Sequence, residues 1–170
     1  MDFSLSNDQL AFKSMVQSFV TNKWTPFASK WDVEKTLPVD ALREAADLGL
    51  AGIYIDDKLG GTGLGRLDAA LIFEELSTAC PSTAAFLSIH NMAAWMISKY
   101  GTKYQHETIL SKLISMDFIA SYCLTEPGSG SDSSSLTTSA KKEGDFYIVN
   151  GTKSFISGAS LSDIYLTMVR

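Results

Sequence analysis

Tyr122-Cys123-Leu124-Thr125-Glu126-Pro127-Gly128-Ser129-Gly130-Ser131-Asp132 is the stretch on which the reading of this chain turns. A short apolar strand runs into a loop of Gly, Ser and Thr fixed by one Pro. Glycine lacks a Cβ and tolerates positive φ, so backbone N–H groups and small hydroxyls in such a loop can approach a flat, phosphate-bearing ligand. Alternation along the strand turns Thr125 toward a ligand while Cys123 and Leu124 pack. By composition alone the same stretch reads equally as a Gly/Ser surface loop. A second patch, Phe155-Ile156-Ser157, supplies an aromatic wall and another hydroxyl. Two strand-end patches in one small sheet suit a ring system with a phosphate tail.

Upstream of this stretch the pattern is helical. Ser6 and Gln9 have capping-box spacing, and Phe12, Met15, Val16, Phe19 and Val20 follow at helical intervals. Pro26 interrupts, with Trp24, Phe27 and Trp31 as apolar anchors. A second helix follows Pro38 on Val39, Leu42, Ala45, Ala46 and Leu48, and ends at Gly49. Ile53-Tyr54-Ile55 reads as a short turn or strand. A third helix starts near Asp68, and Ser82 is the expected cap of a fourth. A fifth is expected from His106 to Ser115. Downstream the period changes. Residues 119–125 read as a strand, Asn150-Gly151 as the turn of a hairpin running on to Ile156, and 164–169 as another strand. The fold class expected is α+β: an all-helical domain, residues 1–118, then the opening strands of a β domain, residues 119–170.

Composition removes several classes of function. Of 170 residues, 45% are hydrophobic and 19% charged, as in an ordinary folded domain. Net charge is −5 with no basic stripe, which argues against nucleic acid as a partner. No apolar run has bilayer-spanning length. Met1-Asp2-Phe3-Ser4 opens neither a secretory nor an Arg-rich leader, so a cytosolic protein or a removed transit segment is expected. Cys80 and Cys123 read as buried thiols, and with only His90 and His106 beside them no metal site is expected. His90 lies among apolar residues and reads as a hydrogen-bonded structural group, His106 as exposed. Met92, Trp95 and Met96 read as core, with a lesser reading in which one face of their helix lines an acyl pocket. Gly61-Thr62-Gly63-Leu64-Gly65 has the wrong spacing for a dinucleotide fingerprint and reads as an inter-helix loop.

Residues 122–132, the loop Gly60-Gly61-Thr62-Gly63, the segment Asn150-Gly151-Thr152-Lys153 and the triplet Phe155-Ile156-Ser157 together resemble the acyl-CoA dehydrogenase family, in the same order along the chain. The resemblance covers essentially all 170 residues. It implies a helical domain, then a β-barrel-like middle domain, with FAD as cofactor and an acyl-CoA as substrate. It implies that Tyr122, Cys123, Leu124, Thr125, Glu126, Pro127, Gly128, Ser129, Gly130 and Ser131 form the flavin-contacting segment. Thr125 would hydrogen-bond the pyrimidine end of the isoalloxazine, and Ser131 would lie near both the pyrophosphate and the acyl-CoA. Phe155, Ile156 and Ser157 would flank the ring, Phe155 packing on it and Ser157 near N5, where many members have Thr.

The stretch Leu87-Ser88-Ile89-His90-Asn91-Met92-Ala93-Ala94-Trp95-Met96-Ile97 looks most like the branched-chain members of valine breakdown, with short-chain and 2-methyl-branched-chain members as alternatives. Electron transfer flavoprotein as electron acceptor and a homotetramer are also implied. So is a mitochondrial matrix location in a eukaryote, or the cytoplasm in a bacterium. The family's base is a glutamate on a C-terminal helical domain, and no Glu here matches it, so no catalytic residue is assigned and this chain alone is expected to be inactive. Two other classes stay open: a truncated homologue acting as an interaction module, and a nicotinamide enzyme using the loop at residues 61–65.

Overall fold

The computed structural model describes residues 4–170. Its first part is a helical bundle. Helix α1, Asn7–Lys23, starts at Ser6, whose Oγ accepts from the Gln9 N–H while the Gln9 side chain accepts from the Ser6 N–H. Short α2, Ala28–Glu34, follows the break at Pro26 and ends on Lys35 in the left-handed region. Helix α3, Val39–Asp47, buries Leu42, Ala45 and Ala46, and Gly49 at φ +79° turns the chain out of it.

Helices α4, Arg66–Ala79, and α5, Pro81–Tyr100, meet at Cys80, which ends one and begins the other. The expected cap Ser82 is therefore inside α5. Pro81 at the first helical position sets the start instead, since its fixed φ suits a helix and its missing N–H is not needed there. Helix α4 likewise begins before Asp68. One Asp68 oxygen accepts from the Gly65 N–H at 3.0 Å and the other from Gln9 Nε2 at 2.9 Å, which ties α4 to α1. Helix α6, Lys103–Gln105, a π turn His106–Leu110 and α7, Ser111–Ile114, run on as one irregular helix. It begins earlier than His106 because Thr102 and Gln105 form a capping box. His106 is not free: its Nε2 lies 3.1 Å from the Ile97 carbonyl.

The core is apolar and closed. Trp24, Leu42, Ile53, Ile72, Leu76 and Leu87 have no exposed surface. Residues 53–55 form no strand. They are pinned as a turn by Asn91 of α5, whose Oδ1 accepts from the Ile53 N–H while its Nδ2 donates to the Leu50 and Leu87 carbonyls. The glycine loop folds back on this turn, Gly63 N–H to Ile55 O and Leu64 N–H to Ile53 O, each at 2.8 Å. A Cβ on Gly61 would stand 2.2 Å from Ile55 O, so the glycine serves close backbone approach rather than a cofactor. Met92, Trp95 and Met96 are half-buried, outside the two apolar clusters that make the core.

Four strands follow: β1 Ala120–Cys123, β2 Ser139–Glu143, β3 Phe146–Asn150 and β4 Ile164–Thr167. Strands β1 and β4 pair in parallel, Ala120 opposite Ile164, and β2 pairs antiparallel with β3. The hairpin expected at Asn150-Gly151 is absent, and residues 151–156 are not a strand. The turn is Gly144-Asp145, with positive φ at Gly144 alone, the requirement of a type II′ loop. Gly151 instead lets the backbone pass over Thr138, where a Cβ would lie 2.2 Å from Oγ1.

The joint between bundle and strands is His90. This fully buried ring on α5 accepts the Ala120 N–H of β1 at Nδ1, 3.1 Å away. Nε2, 2.9 Å from the Leu113 carbonyl of α7, must therefore carry the proton. Burial lowers its pKa from 6.5 to about 4, against the raising effect of the Leu113 bond.

Candidate functional site

The predicted stretch begins in β1 and leaves it as a tight turn. Glu126 and Ser129 exchange both backbone hydrogen bonds, at 2.9 and 3.1 Å, with Pro127 and Gly128 at the corners. Ser129 Oγ donates to the Asp132 carbonyl, and the Asp132 carboxylate accepts from the Ser134 and Ser135 hydroxyls, which hold it below the usual carboxylate range. No neighbour comes within 4 Å of where a Cβ would be on Gly128 or Gly130, so the loop presents bare backbone to its surroundings.

Glu126 organises this loop from inside. Its Oε2 accepts from the Thr137 N–H at 2.6 Å and the Thr137 hydroxyl at 2.8 Å, and its Oε1 accepts from the Thr138 N–H at 2.9 Å and Lys153 Nζ at 2.8 Å. The side chains of Lys153 and Glu126 are only 10% and 3% exposed. Lys153 also donates to the Leu124 carbonyl at 2.9 Å. The Lys153 ammonium first, then the hydroxyl and amide donors of Thr137 and Thr138, hold the Glu126 carboxyl well below the usual carboxylate range. The carboxylate is thus consumed by the protein, as is the Glu126 backbone in its exchange with Ser129, so Glu126 shapes the loop from within. The Cys123 side chain is likewise buried, and burial pushes its thiol up.

The second patch is brought beside the first. The Ser154 N–H donates to the Thr125 carbonyl at 2.8 Å, so residues 125 and 154–157 run edge to edge. Phe155 adopts φ +57° and is 94% exposed. A bulky residue held in the left-handed region with its ring in the open is a strained, deliberate placement. Tyr122, Leu124, Thr125 and Ile156 are half-buried, while Ser131 and Ser157 are exposed. An exposed aromatic face beside a hydroxyl and an open glycine loop fits a large planar ring with a polar tail.

Two features of the site leave no local mark in the sequence. Lys153 reaches back twenty-seven residues to the buried Glu126 carboxylate, a contact that its own motif does not announce. Ser121 is a serine in a short apolar strand, with no local sign of its partner thirty-six residues away.

A helical bundle followed by a small set of strands is the arrangement of the first two domains of a flavoprotein dehydrogenase. Residues 6–117 match the N-terminal domain of acyl-CoA dehydrogenases and residues 121–170 match their middle domain. The chain belongs to the acyl-CoA dehydrogenase family, whose cofactor is FAD. It is 56% identical over 166 residues to a mitochondrial isobutyryl-CoA dehydrogenase of Dictyostelium discoideum, covering 98% of this chain and 40% of that protein. The corresponding protein of Bos taurus is 47% identical with the same coverages. Among solved structures, the FADH2 complex of a glutaryl-CoA dehydrogenase from Mycobacterium smegmatis superposes with a TM-score of 0.93 at 28% identity, covering 98% of this chain and 43% of that one. The chain spans about 40% of the length of the curated relatives it matches.

Proposed function

We propose that these residues are the helical domain and flavin ledge of an FAD-dependent dehydrogenase of short branched acyl-CoA thioesters, converting isobutyryl-CoA to methacrylyl-CoA. The whole polypeptide would pass electrons to electron transfer flavoprotein and work as a homotetramer, in the mitochondrial matrix of a eukaryote. The observation that supports the reading is the bond from the Ser154 N–H to the Thr125 carbonyl, which ties the segment carrying the exposed Phe155 to the strand end from which the glycine loop leaves. The likeness to two isobutyryl-CoA dehydrogenases supports the choice of acyl chain.

In this reading FAD, when bound, supplies the acceptor for a hydride from the substrate β-carbon. The chain's own residues do the holding. The Thr125 hydroxyl would hydrogen-bond the pyrimidine edge, Ser157 would lie near N5, and Phe155 would pack on the ring system and exclude water there. Gly128, Ser129, Gly130 and Ser131 line the path of the phosphates, Ser131 also meeting the acyl-CoA. Tyr122, Leu124, Pro127 and Ile156 frame the ledge. Hydrogen-bond donors fixed where negative charge develops are worth more in such a dry site than in water. The base that takes the α-proton is assigned to a glutamate outside residues 1–170.

The test is a substrate panel on the full-length holoenzyme. Isobutyryl-CoA is expected to give the highest kcat/KM, ahead of butyryl-CoA and 2-methylbutyryl-CoA. A preference for butyryl- or 2-methylbutyryl-CoA overturns the acyl-chain assignment. Reduction by none of the three, in a protein that binds FAD, overturns the dehydrogenase reading itself.

A further inference from the structure

We infer that Ser121 is a positioning residue: its buried hydroxyl fixes the peptide of Ser157, and so aims the Ser157 side chain at the flavin. The inference rests on the flavin-facing reading of Ser157 proposed above. Ser121 lies in β1 with no exposed surface. Its Oγ is 2.5 Å from the Ser157 carbonyl and 2.7 Å from Ser162 Oγ. A serine has one hydroxyl proton and a carbonyl can only accept. The Ser121 proton therefore goes to Ser157 O, and Ser162 donates to Ser121. The result is a short relay, Ser162 to Ser121 to Ser157, centred on the buried Ser121 hydroxyl, where each bond polarises the next.

The turn carrying Ser157 has no slack around this relay. Gly158 has φ +80°, and a Cβ there would meet Ser162 Oγ at 2.5 Å, Phe86 Cε2 at 2.7 Å and Ser121 Oγ at 2.9 Å. The turn is thus pressed between β1 and Phe86 of α5. On its other side, Ser154 N–H reaches Thr125 O, and the Leu161 and Ser162 N–H groups return to Gly158 O at 2.9 Å. Phe155 at φ +57° and Ser160 at φ +68° sit on either side of Ser157. Two strained residues persist around one serine only where the surroundings over-determine the backbone. Ser121 supplies the side-chain bond that does so at the centre of the turn.

The test uses the full-length holoenzyme and reads the flavin itself. Ser121→Ala is expected to bind FAD one to one, but with displaced visible absorption bands and a shifted two-electron potential. Single-turnover reduction by the acyl-CoA should slow roughly tenfold, the value of one lost buried hydrogen bond, with KM little changed. Ser162→Ala keeps the bond to Ser157 and loses only its polarising donor, so its shifts should have the same sign and be smaller. Ser157→Ala is the benchmark. If it moves spectrum and potential while Ser121→Ala and Ser162→Ala leave both at wild-type values, the positioning role is overturned and the reading of Ser157 stands. If Ser157→Ala moves neither, the flavin-facing reading fails and the inference falls with it. Should Ser121→Ala not fold, Ser162→Ala decides alone: a spectral shift supports the relay, and its absence overturns it.

Discussion

The helical part and the strand part of this chain are held by different forces. In the bundle, Trp24, Leu42, Ile72, Leu76 and Leu87 are sealed from water, and buried polar groups such as Asn91 serve to pin one turn. In the strand part, Phe146, Tyr147, Ile148 and Val149 are all exposed, and placement comes from polar bonds: Glu126 with Lys153, Thr137 and Thr138, and Ser121 with Ser157 and Ser162. Apolar burial is non-directional and supplies stability. Buried hydrogen bonds add less net stability and fix geometry. A change in the bundle should therefore read out as lost stability, and a change in the strand part as a displaced cofactor.

The sharpest test of the first half is Trp24→Ala. Trp24 is fully buried, meets Phe19 edge to face at 5.8 Å between centroids, and donates through Nε1 to the Ala41 carbonyl at 3.3 Å. Its truncation leaves a cavity and removes the indole bond, and should cost about 3–5 kcal/mol in urea denaturation followed by far-ultraviolet circular dichroism. A loss under about 1 kcal/mol would show that the bundle is not a packed core.

His90 spans the two regions and gives the next largest effect. Its neutral ring is stabilised by burial in the folded state, while the unfolded ring titrates near 6.5. The folded form therefore binds fewer protons than the unfolded form between pH 6.5 and about 4, and stability falls with acid across that window. Above pH 6.5 the contribution is fully present, and below about 4 it has been lost. The shift corresponds to roughly 3 kcal/mol. His90→Phe should remove this pH dependence, at the cost of taking the recorded acceptor from the Ala120 N–H, while the Leu113 carbonyl keeps the Met116 N–H. A wild-type stability that is flat between pH 6.5 and 4 would contradict the neutral, doubly bonded ring.

Glu126→Gln and Lys153→Met probe the strand part. Each removes one partner of a buried pair and leaves the other uncompensated. The loop at residues 126–131 should lose its anchorage, and FAD should bind on the order of tenfold more weakly to the full-length protein in a fluorescence titration. Because the Glu126 carboxyl is held below its usual 4.5, the bundle of bonds around it is intact above that value and weakens as acid brings the pH down toward the folded pKa. Unchanged FAD affinity in both variants would mean that the loop holds its shape without the pair.

What the sequence made legible follows from the same contrast. Helices announced themselves through 3.6-residue spacing and caps, and Ser6, Gln9 and Gly49 do what their positions suggest. The short segments were harder. Asn150-Gly151 carries a strong turn signal, yet Gly144-Asp145 makes the turn, because Gly151 is needed where backbone crosses Thr138. That need is tertiary and leaves no local trace. The two site patches could be located in sequence, but not that Ser154 bonds Thr125, nor that Ser121 and Lys153 act from beneath, since these contacts span 27 to 41 residues.

The smallest expected effect makes the contrast quantitative. Phe146 lies on β3 opposite Glu143, with its ring 73% exposed. Phe146→Ala in the 170-residue chain should change stability by no more than about 0.5 kcal/mol, the range of an exposed position, although it removes an aromatic side chain as Trp24→Ala does. The difference between the two is burial, not chemistry. The same substitution in a longer polypeptide turns this null result into a probe. A cost above about 2 kcal/mol there would mean that additional chain packs on the β2–β3 hairpin and completes an apolar layer that residues 4–170 leave open. A cost still near zero would place the hairpin on the surface of the whole protein, and the apolar contribution of the strand part would then come from β1 and β4, where Ala120, Ile164 and Leu166 pack together.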